Sequence, residues 1–313
     1  MRRSDRTPPL SEHRFDGRVA VVTGAGRGIG RAYALLLAAR GASVVVNDLG
    51  TAIDGVGNDS GPASAVAAEI VALGGSAAAD GSDVASAAGA QSLVDAAIEQ
   101  FGRLDIVINN AGIIRWAGFP SADADNLDRH LAVHVAGSFN TIKAAWSHMV
   151  DQGYGRVVNT TSSGVFGLPA NLSYATAKGA IIGMTRSLAT AGAAHGIKLN
   201  LIAPAAMTRM AGQVAGASDP TEPDPMATDL VAPMAAFLAH EDCPVTGEIY
   251  AAGAGRFARI FLASTVGYVH DGREPTIEDV AERWATINDE TGYYVPADLM
   301  SWSTTFMSHL RSG

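Results

Sequence analysis

Residues 18–30, with the sequence RVAVVTGAGRGIG, pass from an apolar, β-branched run into a glycine-rich turn. Continuous apolar character is typical of a strand buried on both faces of a parallel sheet. The Ala- and Leu-rich stretch 31–40 that follows predicts a helix. A strand, a glycine turn and a helix N-terminus place bare backbone N–H groups and the helix dipole at one point, which suits a pyrophosphate. The spacing Gly-x-x-x-Gly-x-Gly differs from Gly-x-Gly-x-x-Gly, so a glycine turn without a nucleotide is the alternative.

The alternation of strand and helix patterns continues along the chain. Further strand patterns occur at 42–46, 104–108, 155–161, 198–202 and 247–251, and helical patterns occur at 62–73, 87–101, 123–151, 172–192 and 227–240. Strands separated by helices of 10–15 residues indicate a doubly wound parallel sheet. We therefore expect an α/β Rossmann fold of about seven strands with helices on both faces, which binds ligands at the carboxyl ends of its strands.

The chain divides into three parts. Residues 1–14 are polar and predict a flexible tail, residues 15–252 contain the strands and helices of the expected Rossmann domain, and residues 253–313 predict a C-terminal helical extension packed on that domain. Within residues 15–252, the glycine-rich stretch 50–61 predicts a mobile insertion, and residues 205–225 predict a substrate lid.

Composition and charge exclude several classes of function. The 313 residues are 48% apolar and 17% charged, so the chain is not expected to be disordered. A net charge of −9 argues against a nucleic-acid partner. The single cysteine, Cys243, rules out an internal disulfide framework. No apolar run approaches the ~18–20 residues of a membrane span, and no secretory signal begins the chain. We expect a soluble, cytoplasmic protein without a membrane partner.

Metal binding is also not expected. His130 and His134 stand four residues apart in the predicted helix 123–151, as two ligands on one helix face would. No Glu or Cys at a matching spacing completes the set. The sequence therefore predicts no metal site.

Polar and small residues at the predicted strand ends indicate a nucleotide site. Asp48 follows the second strand, twenty residues after Gly28, where a carboxylate can accept hydrogen bonds from the adenosine ribose. A carboxylate there repels the additional phosphate of NADP, whereas Arg27 could accommodate it. We favour NAD. The candidate cofactor-binding residues are Gly24, Arg27, Gly28, Ile29, Gly30, Asp48, Asp83, Val84, Asn110, Ala111, Gly112 and Pro204.

Tyr174 and Lys178 are the strongest candidates for chemistry. Their spacing of four places the phenol and the ammonium one helical turn apart on one face. A phenol titrates near pH ~10, and an opposite charge within ~4–6 Å typically lowers such a pKa by about 1–3 units. A serine hydroxyl from the preceding strand, Ser162 or Ser163, could bind the same substrate oxygen. The residues therefore predict proton transfer at an alcohol or carbonyl oxygen.

Together these motifs resemble the short-chain dehydrogenase/reductase family. The resemblance covers about 18–252 and rests on Thr23-Gly24-x-x-x-Gly28-x-Gly30, Asp83, Asn109-Asn110-Ala111-Gly112, Ser162, Tyr174 and Lys178. It implies that Tyr174 is the general acid/base, that Ser162 orients the substrate oxygen, and that Lys178 lowers the pKa of Tyr174. Tyr174 and Lys178 would also contact the nicotinamide ribose. The cofactor would exchange a hydride with the carbinol carbon.

Two positions depart from the family pattern. Where many members carry a catalytic asparagine, this chain has His134, followed by Val135-Ala136-Gly137. The family serine usually stands thirteen residues before the tyrosine, which is Thr161 here. Counting forward from Asn159 favours Ser162, with Ser163 as the second candidate.

Within the family, the chain most resembles the (3R)-hydroxyacyl-CoA dehydrogenase part of the peroxisomal multifunctional enzyme, also described as a 17β-hydroxysteroid dehydrogenase. The segments that carry this resemblance are 45–50, 133–139, 144–146, 202–204 and 253–256. It implies an acyl-CoA or steroid substrate and a homodimer or homotetramer. Candidates for contact with CoA phosphates are Arg115, Arg209, Arg256 and Arg259. A hydroxysteroid or small cyclic-alcohol dehydrogenase is the alternative, and a non-catalytic dinucleotide-binding scaffold the remote one.

Overall fold

The computed structural model describes residues 12–211, 224–272 and 274–311. Most of the predicted tail and most of the predicted lid, residues 1–11 and 212–223, therefore lie outside the described residues. Within the described ranges, no helix combines the length and the apolar character that a membrane crossing requires.

A single sheet of eight strands forms the centre of the fold, in the order β3-β2-β1-β4-β5-β6-β7-β8. The strands are β1 (Val19–Thr23), β2 (Ser43–Asn47), β3 (Ser76–Asp80), β4 (Ile106–Asn109), β5 (Gly155–Thr160), β6 (Ile197–Ala205), β7 (Ile249–Gly253) and β8 (Arg256–Ile260). The first seven pair in parallel. The chain adds strands outward from β1 and then crosses to β4, so a topological switch point lies between these two strands.

The helices cover both faces of this sheet. They are α1 (Gly28–Ala39), α2 (Gly61–Ala72), α3 (Ala87–Phe101), α4 (Ala124–His130), α5 (Gly137–Gln152), α6 (Leu172–Gly192) and α7 (Ala232–Leu238). Side chains of α1, α2 and α7 share one buried cluster, and side chains of α3, α5 and α6 share another. The predicted doubly wound α/β fold is confirmed.

Both hydrophobic layers follow from the strand sequences. In β1, Ala20 and Val22 face one cluster while Val19 and Val21 face the other. Successive side chains of a strand point to opposite faces, so a strand covered on both sides must be apolar at every position. This requirement explains the continuous apolar run in residues 18–30.

The sheet differs from the prediction at its last strands. We expected about seven strands, and β8 is the eighth. It follows β7 across Ala254-Gly255, both of which have positive φ (49° and 72°), as in a tight hairpin turn. The pattern search missed β8 because four of its five residues are exposed and lack continuous apolar character. The strand predicted at 198–202 extends further, since Pro204 pairs with Ala252 inside β6.

The predicted helix 123–151 is also modified. A π-helical segment, Leu131–Ala136, separates α4 from α5. Such segments insert an extra residue into the helical ladder and are frequent at functional sites. A hydrophobic period near 3.6 does not reveal a single inserted residue.

The chain divides into two compact units, one up to residue 258 and one from residue 259. The second unit contains α8 (Ile277–Glu282), α9 (Trp284–Ile287) and α10 (Leu299–Phe306). The first helix of the predicted helical extension is α8, which Thr276 caps together with Asp279. The packing of this extension on the catalytic domain stays a prediction.

Candidate active site

The glycine turn joins β1 to α1 at the switch point of the sheet. Gly24 and Gly28 adopt left-handed φ values of 62° and 56°, which glycine accepts without strain. Gly28 is exposed, and nothing lies nearer than 3.8 Å to the position of a Cβ. Gly30 is buried, and a Cβ there would collide with the carbonyl oxygen of Gly24. Gly28 therefore leaves room for a ligand, whereas Gly30 allows the helix to pack against the turn.

Hydrogen bonds between Thr23 and Asn110 connect the ends of β1 and β4. The Thr23 hydroxyl accepts from the backbone N–H groups of Asn110 and Ala111, each at 3.0 Å. The Asn110 side-chain amide donates to the carbonyl oxygens of Thr23 and Gly24, also at 3.0 Å. The two strand ends thereby form one rigid edge at which a ligand can bind.

A cleft of about 340 Å³ opens at this edge. Ten predicted cofactor-binding residues line it: Gly24, Arg27, Gly28, Ile29, Asp48, Asp83, Val84, Asn110, Ala111 and Gly112. Four other predicted residues, Gly30, Tyr174, Lys178 and Pro204, do not line it. Gly30 is buried behind the turn. Tyr174 and Lys178 belong to the neighbouring side-chain cluster described below.

Asp48 is held in the cleft by backbone groups. Its carboxylate accepts from the N–H of Gly26 at 2.8 Å and from the N–H of Gly50 at 2.7 Å. A carboxylate has about four lone-pair sites, so two remain for a ligand hydroxyl. Arg27 lines the same cleft. The cleft therefore contains both Asp48, which would repel the additional phosphate of NADP, and Arg27, which would attract it.

The loop after β2 contributes residues that the sequence analysis missed. Thr51, Ala52, Ile53 and Gly55 line the cleft. Ile53 accepts a hydrogen bond from Ile114 N at 2.8 Å, and Ala52 N donates to Val56 O at 2.8 Å. Backbone hydrogen bonds therefore connect this loop to the segment beyond β4, and the mobility of residues 50–61 stays a prediction. Its glycines indicated turns, but the cross-loop contact is not visible in a sequence.

Ser162, Tyr174 and Lys178 converge at the carboxyl ends of β5 and β6. Ser162 begins a 3-10 turn after β5, and its hydroxyl accepts from Gly164 N at 3.1 Å. Tyr174 lies in the first turn of α6, which Asn171 caps by accepting from Tyr174 N at 3.1 Å. The Ser162 hydroxyl lies beside Tyr174 and acts to lower the pKa of the phenol. Lys178 Nζ is 5.6 Å from the centre of the Tyr174 ring.

The structure distinguishes the three hydroxyl candidates. Thr161 is buried and donates to the carbonyl oxygen of Lys178 at 2.9 Å. Ser163 is exposed in the 3-10 turn. Ser162 is the candidate whose hydroxyl acts on the pKa of Tyr174, and its role in catalysis stays a prediction.

Burial dominates the electrostatics of this cluster. It raises the pKa of Tyr174, which the hydrogen bond from Ser162 only partly offsets. It lowers the pKa of Lys178 to about 7, although the ammonium donates to the carbonyl oxygen of Thr160 at 2.8 Å. Desolvation penalises the charged forms of both side chains, and the expected lowering of the Tyr174 pKa by Lys178 stays a prediction.

A buried polar network supports the strands that carry the cluster. The amide of Asn109 donates to Asn159 Oδ1 at 2.9 Å, and Asn109 Oδ1 accepts from Thr141 at 2.7 Å. Asn159 in turn donates to Thr185 on α6 at 2.9 Å. Each side chain is fully or almost fully buried. This network ties β4 and β5 to α5 and α6 and so limits the movement of Ser162 relative to Tyr174.

The candidate arginines occupy different surroundings. Arg209 is exposed and lines the cleft. Arg115 forms an ion pair with Asp125 at 2.7 Å. Arg256 and Arg259 lie on β8. Arg129, on α4, also lines the cleft and was missed, since nothing in its sequence context distinguishes it from a solvated helix residue.

The polar groups of the cleft fit a dinucleotide. An open helix N-terminus with an exposed glycine can approach a phosphate closely, and a fixed carboxylate twenty residues later can accept from a ribose. The ten predicted cofactor-binding residues that line the cleft would hold the cofactor.

Comparison with known proteins gives consistent results. The model of the short chain dehydrogenase family matches residues 18–217. Mouse peroxisomal multifunctional enzyme type 2 is 42% identical over 88% of this chain, which spans only 37% of that enzyme. A hydroxyacyl-CoA dehydrogenase of Mycobacterium tuberculosis is 37% identical over 79% of this chain and 80% of its own length. The crystal structure of a short chain dehydrogenase from Mycobacterium avium superposes with a TM-score of 0.76 at 35% identity and covers 88% of this chain and 97% of its own.

Proposed function

Because the chain belongs to the short-chain dehydrogenase/reductase family, we propose that it is an NAD-dependent dehydrogenase of (3R)-3-hydroxyacyl-CoA thioesters. The observation that carries this proposal is the convergence of Ser162, Tyr174 and Lys178 at the edge of the sheet that also holds the cleft. The family establishes oxidoreductase chemistry, and the choice of cofactor and substrate is the proposed part.

The side chains of the cluster account for the proton transfer. Ser162 and Tyr174, whose side chains lie side by side, would both contact the substrate hydroxyl. In alcohol oxidation the tyrosinate accepts the hydroxyl proton while the carbinol carbon loses hydride, which leaves a ketone. The nicotinamide, when bound, supplies the hydride acceptor. Lys178 donates a hydrogen bond to the carbonyl oxygen of Thr160. When Lys178 is protonated, its positive charge stabilises the tyrosinate.

The proposal of NAD rests on Asp48. Its carboxylate lines the cleft and is oriented by two backbone N–H groups. Bringing a phosphate near an oriented carboxylate costs like-charge repulsion, whereas ribose hydroxyls can donate to it. Arg27 lies on the same cleft and would lessen the repulsion. The protein should therefore bind NAD more tightly than NADP but should still bind NADP.

Apolar side chains around the cluster favour a bulky apolar substrate. Trp116, Phe119, Phe166 and Leu172 are 58%, 81%, 75% and 45% exposed. Leu172 N donates to the carbonyl oxygen of Ala117 at 3.3 Å, which places the 116–119 segment beside the N-terminus of α6. Phe166 ends the 3-10 turn that begins after Ser162. Exposed apolar groups next to a site are typical of ligand-binding surfaces. The name of the mycobacterial relative supports an acyl-CoA in particular.

The same surface would also suit a steroid or a cyclic alcohol, which remains the second candidate. A dinucleotide-binding scaffold without turnover is the third. Turnover of free alcohols without CoA would favour the second, and NAD binding without oxidation of any alcohol would favour the third.

We further propose that the protein forms a homodimer or homotetramer in the cytoplasm. The exposed side of α6 carries the small residues Gly179, Ala180 and Gly183, which permit close helix packing. Sedimentation velocity would test the assembly, and a monomer at micromolar concentration would contradict it.

The deciding experiment is the initial rate of NAD reduction with a medium-chain (3R)-hydroxyacyl-CoA, its (3S) epimer and a 17β-hydroxysteroid, repeated with NADP. We expect turnover of the (3R) thioester with NAD. Turnover of the steroid alone would replace the proposed substrate class, and no turnover of any alcohol would leave only the scaffold.

A further inference from the structure

Residues 113–115, directly beyond the β4 end, are held from two sides. The backbone N–H of Ile113 points to His134 Nε2 at 3.3 Å, and that of Arg115 donates to His130 Nε2 at 3.3 Å. Between them, the N–H of Ile114 donates to the carbonyl oxygen of Ile53 at 2.8 Å. Successive N–H groups of an extended segment point in opposite directions. One side therefore faces the two histidines, and the other faces the loop that lines the cleft.

The two histidines match this segment in spacing. Residues two apart on an extended chain are separated by about 6.6 Å. The imidazole rings are stacked with centroids 5.9 Å apart and planes 7° from parallel. His130 and His134 can therefore contact alternate residues of the segment at the same time.

Both rings also pack against Tyr174. The centroid of the Tyr174 ring is 5.5 Å from His134 and 6.3 Å from His130, with the planes at 88° and 82°. His134 further fills the space beside Gly112, where a Cβ would lie 2.6 Å from its Cε1. The histidine pair is thus the physical contact between Tyr174 and the wall of the cleft.

The chemistry of an imidazole is needed for these contacts. Both rings are buried, and burial lowers the pKa of each, so each is neutral and carries one donor and one acceptor nitrogen. His130 Nδ1 lies 2.7 Å from the carbonyl oxygen of Asn126, which assigns its proton to Nδ1 and leaves Nε2 as the acceptor. His134 Nε2 lies 2.9 Å from the carbonyl oxygen of Ile113, which assigns its proton to Nε2 as the donor of that hydrogen bond, while its Nδ1 is buried without a partner among the described residues. If these rings served only to fill space, an apolar ring would be more favourable, because a buried polar atom without a hydrogen bond costs free energy.

We propose that His130 and His134 are positioning residues that hold Tyr174, residues 113–115 and the loop at 51–55 as one rigid unit. This inference rests on the proposed role of Tyr174. It predicts that loss of the histidine contacts impairs both turnover and cofactor affinity, although neither ring touches the reacting atoms.

Replacement of each histidine by Leu and by Gln tests the proposal on the full chain. A Gln side chain carries a donor and an acceptor near the position of Nε2, whereas Leu keeps only the bulk. For His134→Leu we expect kcat to fall about 10–100-fold, because a small misplacement of a catalytic group has this effect. The Kd of NAD, measured by fluorescence titration without substrate, should rise about tenfold through loss of the segment that supports the loop.

Rescue and non-additivity distinguish positioning from general destabilisation. His134→Gln should recover most of kcat and of NAD affinity. The His130→Leu/His134→Leu double variant should be little worse than either single variant, because the segment is already released. His240→Leu is the matched control, since His240 is also buried and bonded to backbone groups at Arg14 and Asp242, outside the site. It should lower the unfolding midpoint but not kcat.

Three results would overturn the inference: folded Leu variants with unchanged kcat and Kd, Gln variants as impaired as Leu variants, or an equal loss of kcat in His240→Leu. If His134→Leu does not fold, the His130 pair of variants gives the same comparison. An inactive wild-type enzyme would instead refute the proposed function, so the two failures are distinguishable.

Discussion

The buried ammonium of Lys178 should make the stability of this protein depend on pH. Its pKa falls from 10.5 to about 7 on burial, so between these values the unfolded chain binds more protons than the folded one. Stability therefore rises with pH across this window. From pH 7 to pH 9 the penalty for this one group decreases by about 2 kcal/mol, because one pKa unit corresponds to about 1.4 kcal/mol.

Lys178→Met isolates that contribution, since methionine keeps an unbranched apolar chain without the charge. The free energy of unfolding would be measured by urea titration, followed by the fluorescence of the four tryptophans, at pH 7, 8 and 9 without cofactor. The difference between variant and wild type should shrink by about 2 kcal/mol over this range. Lys143→Met, at an exposed site on α5, controls for the change in net charge. Wild-type and variant curves that stay parallel would refute a desolvated ammonium at Lys178.

Three other substitutions test separate parts of the site. Tyr174→Phe should keep NAD affinity and lower kcat by a factor of about 10²–10⁴, because only the proton path is removed; a rate near that of the wild type would exclude Tyr174 as the acid/base. Asp48→Ala should raise the Kd of NAD far more than that of NADP, and equal increases in calorimetric titrations would mean that Asp48 does not select the cofactor. Gly30→Ala should cost about 1–3 kcal/mol of unfolding free energy through its collision with Gly24 O, whereas Gly81→Ala, in open space, should not; comparable urea midpoints for the two variants would contradict the packing role of Gly30.

The fold was predictable because the residue patterns that specify its strands, turns and helices lie in short, continuous stretches of the sequence. Residues 18–30 contain the buried strand, the turn and the helix start, and each has its own pattern of residue types. Parallel strands covered on both faces leave a continuous apolar signal that is difficult to mistake. β8 lacks that signal because most of it is exposed, so it was missed.

The candidate site was predictable where its residues share a motif. Tyr174 and Lys178 lie on one helix face, and the position of Asp48 follows from the length of one strand–helix–strand unit. The choice between Thr161, Ser162 and Ser163 was different, because consecutive residues after a strand point in different directions. Only the turn after β5 decides that Ser162 faces Tyr174.

The sequence alone determined the doubly wound sheet, the glycine turn and the residue types available for chemistry, since these depend on spacing and apolar periodicity. Tertiary structure decided which groups are desolvated and which backbone segments meet. The low pKa of Lys178 depends on the atoms packed around it, and the contact of Ile53 with Ile114 joins segments sixty residues apart. Interactions of this kind depend on distances between elements, which no local pattern encodes.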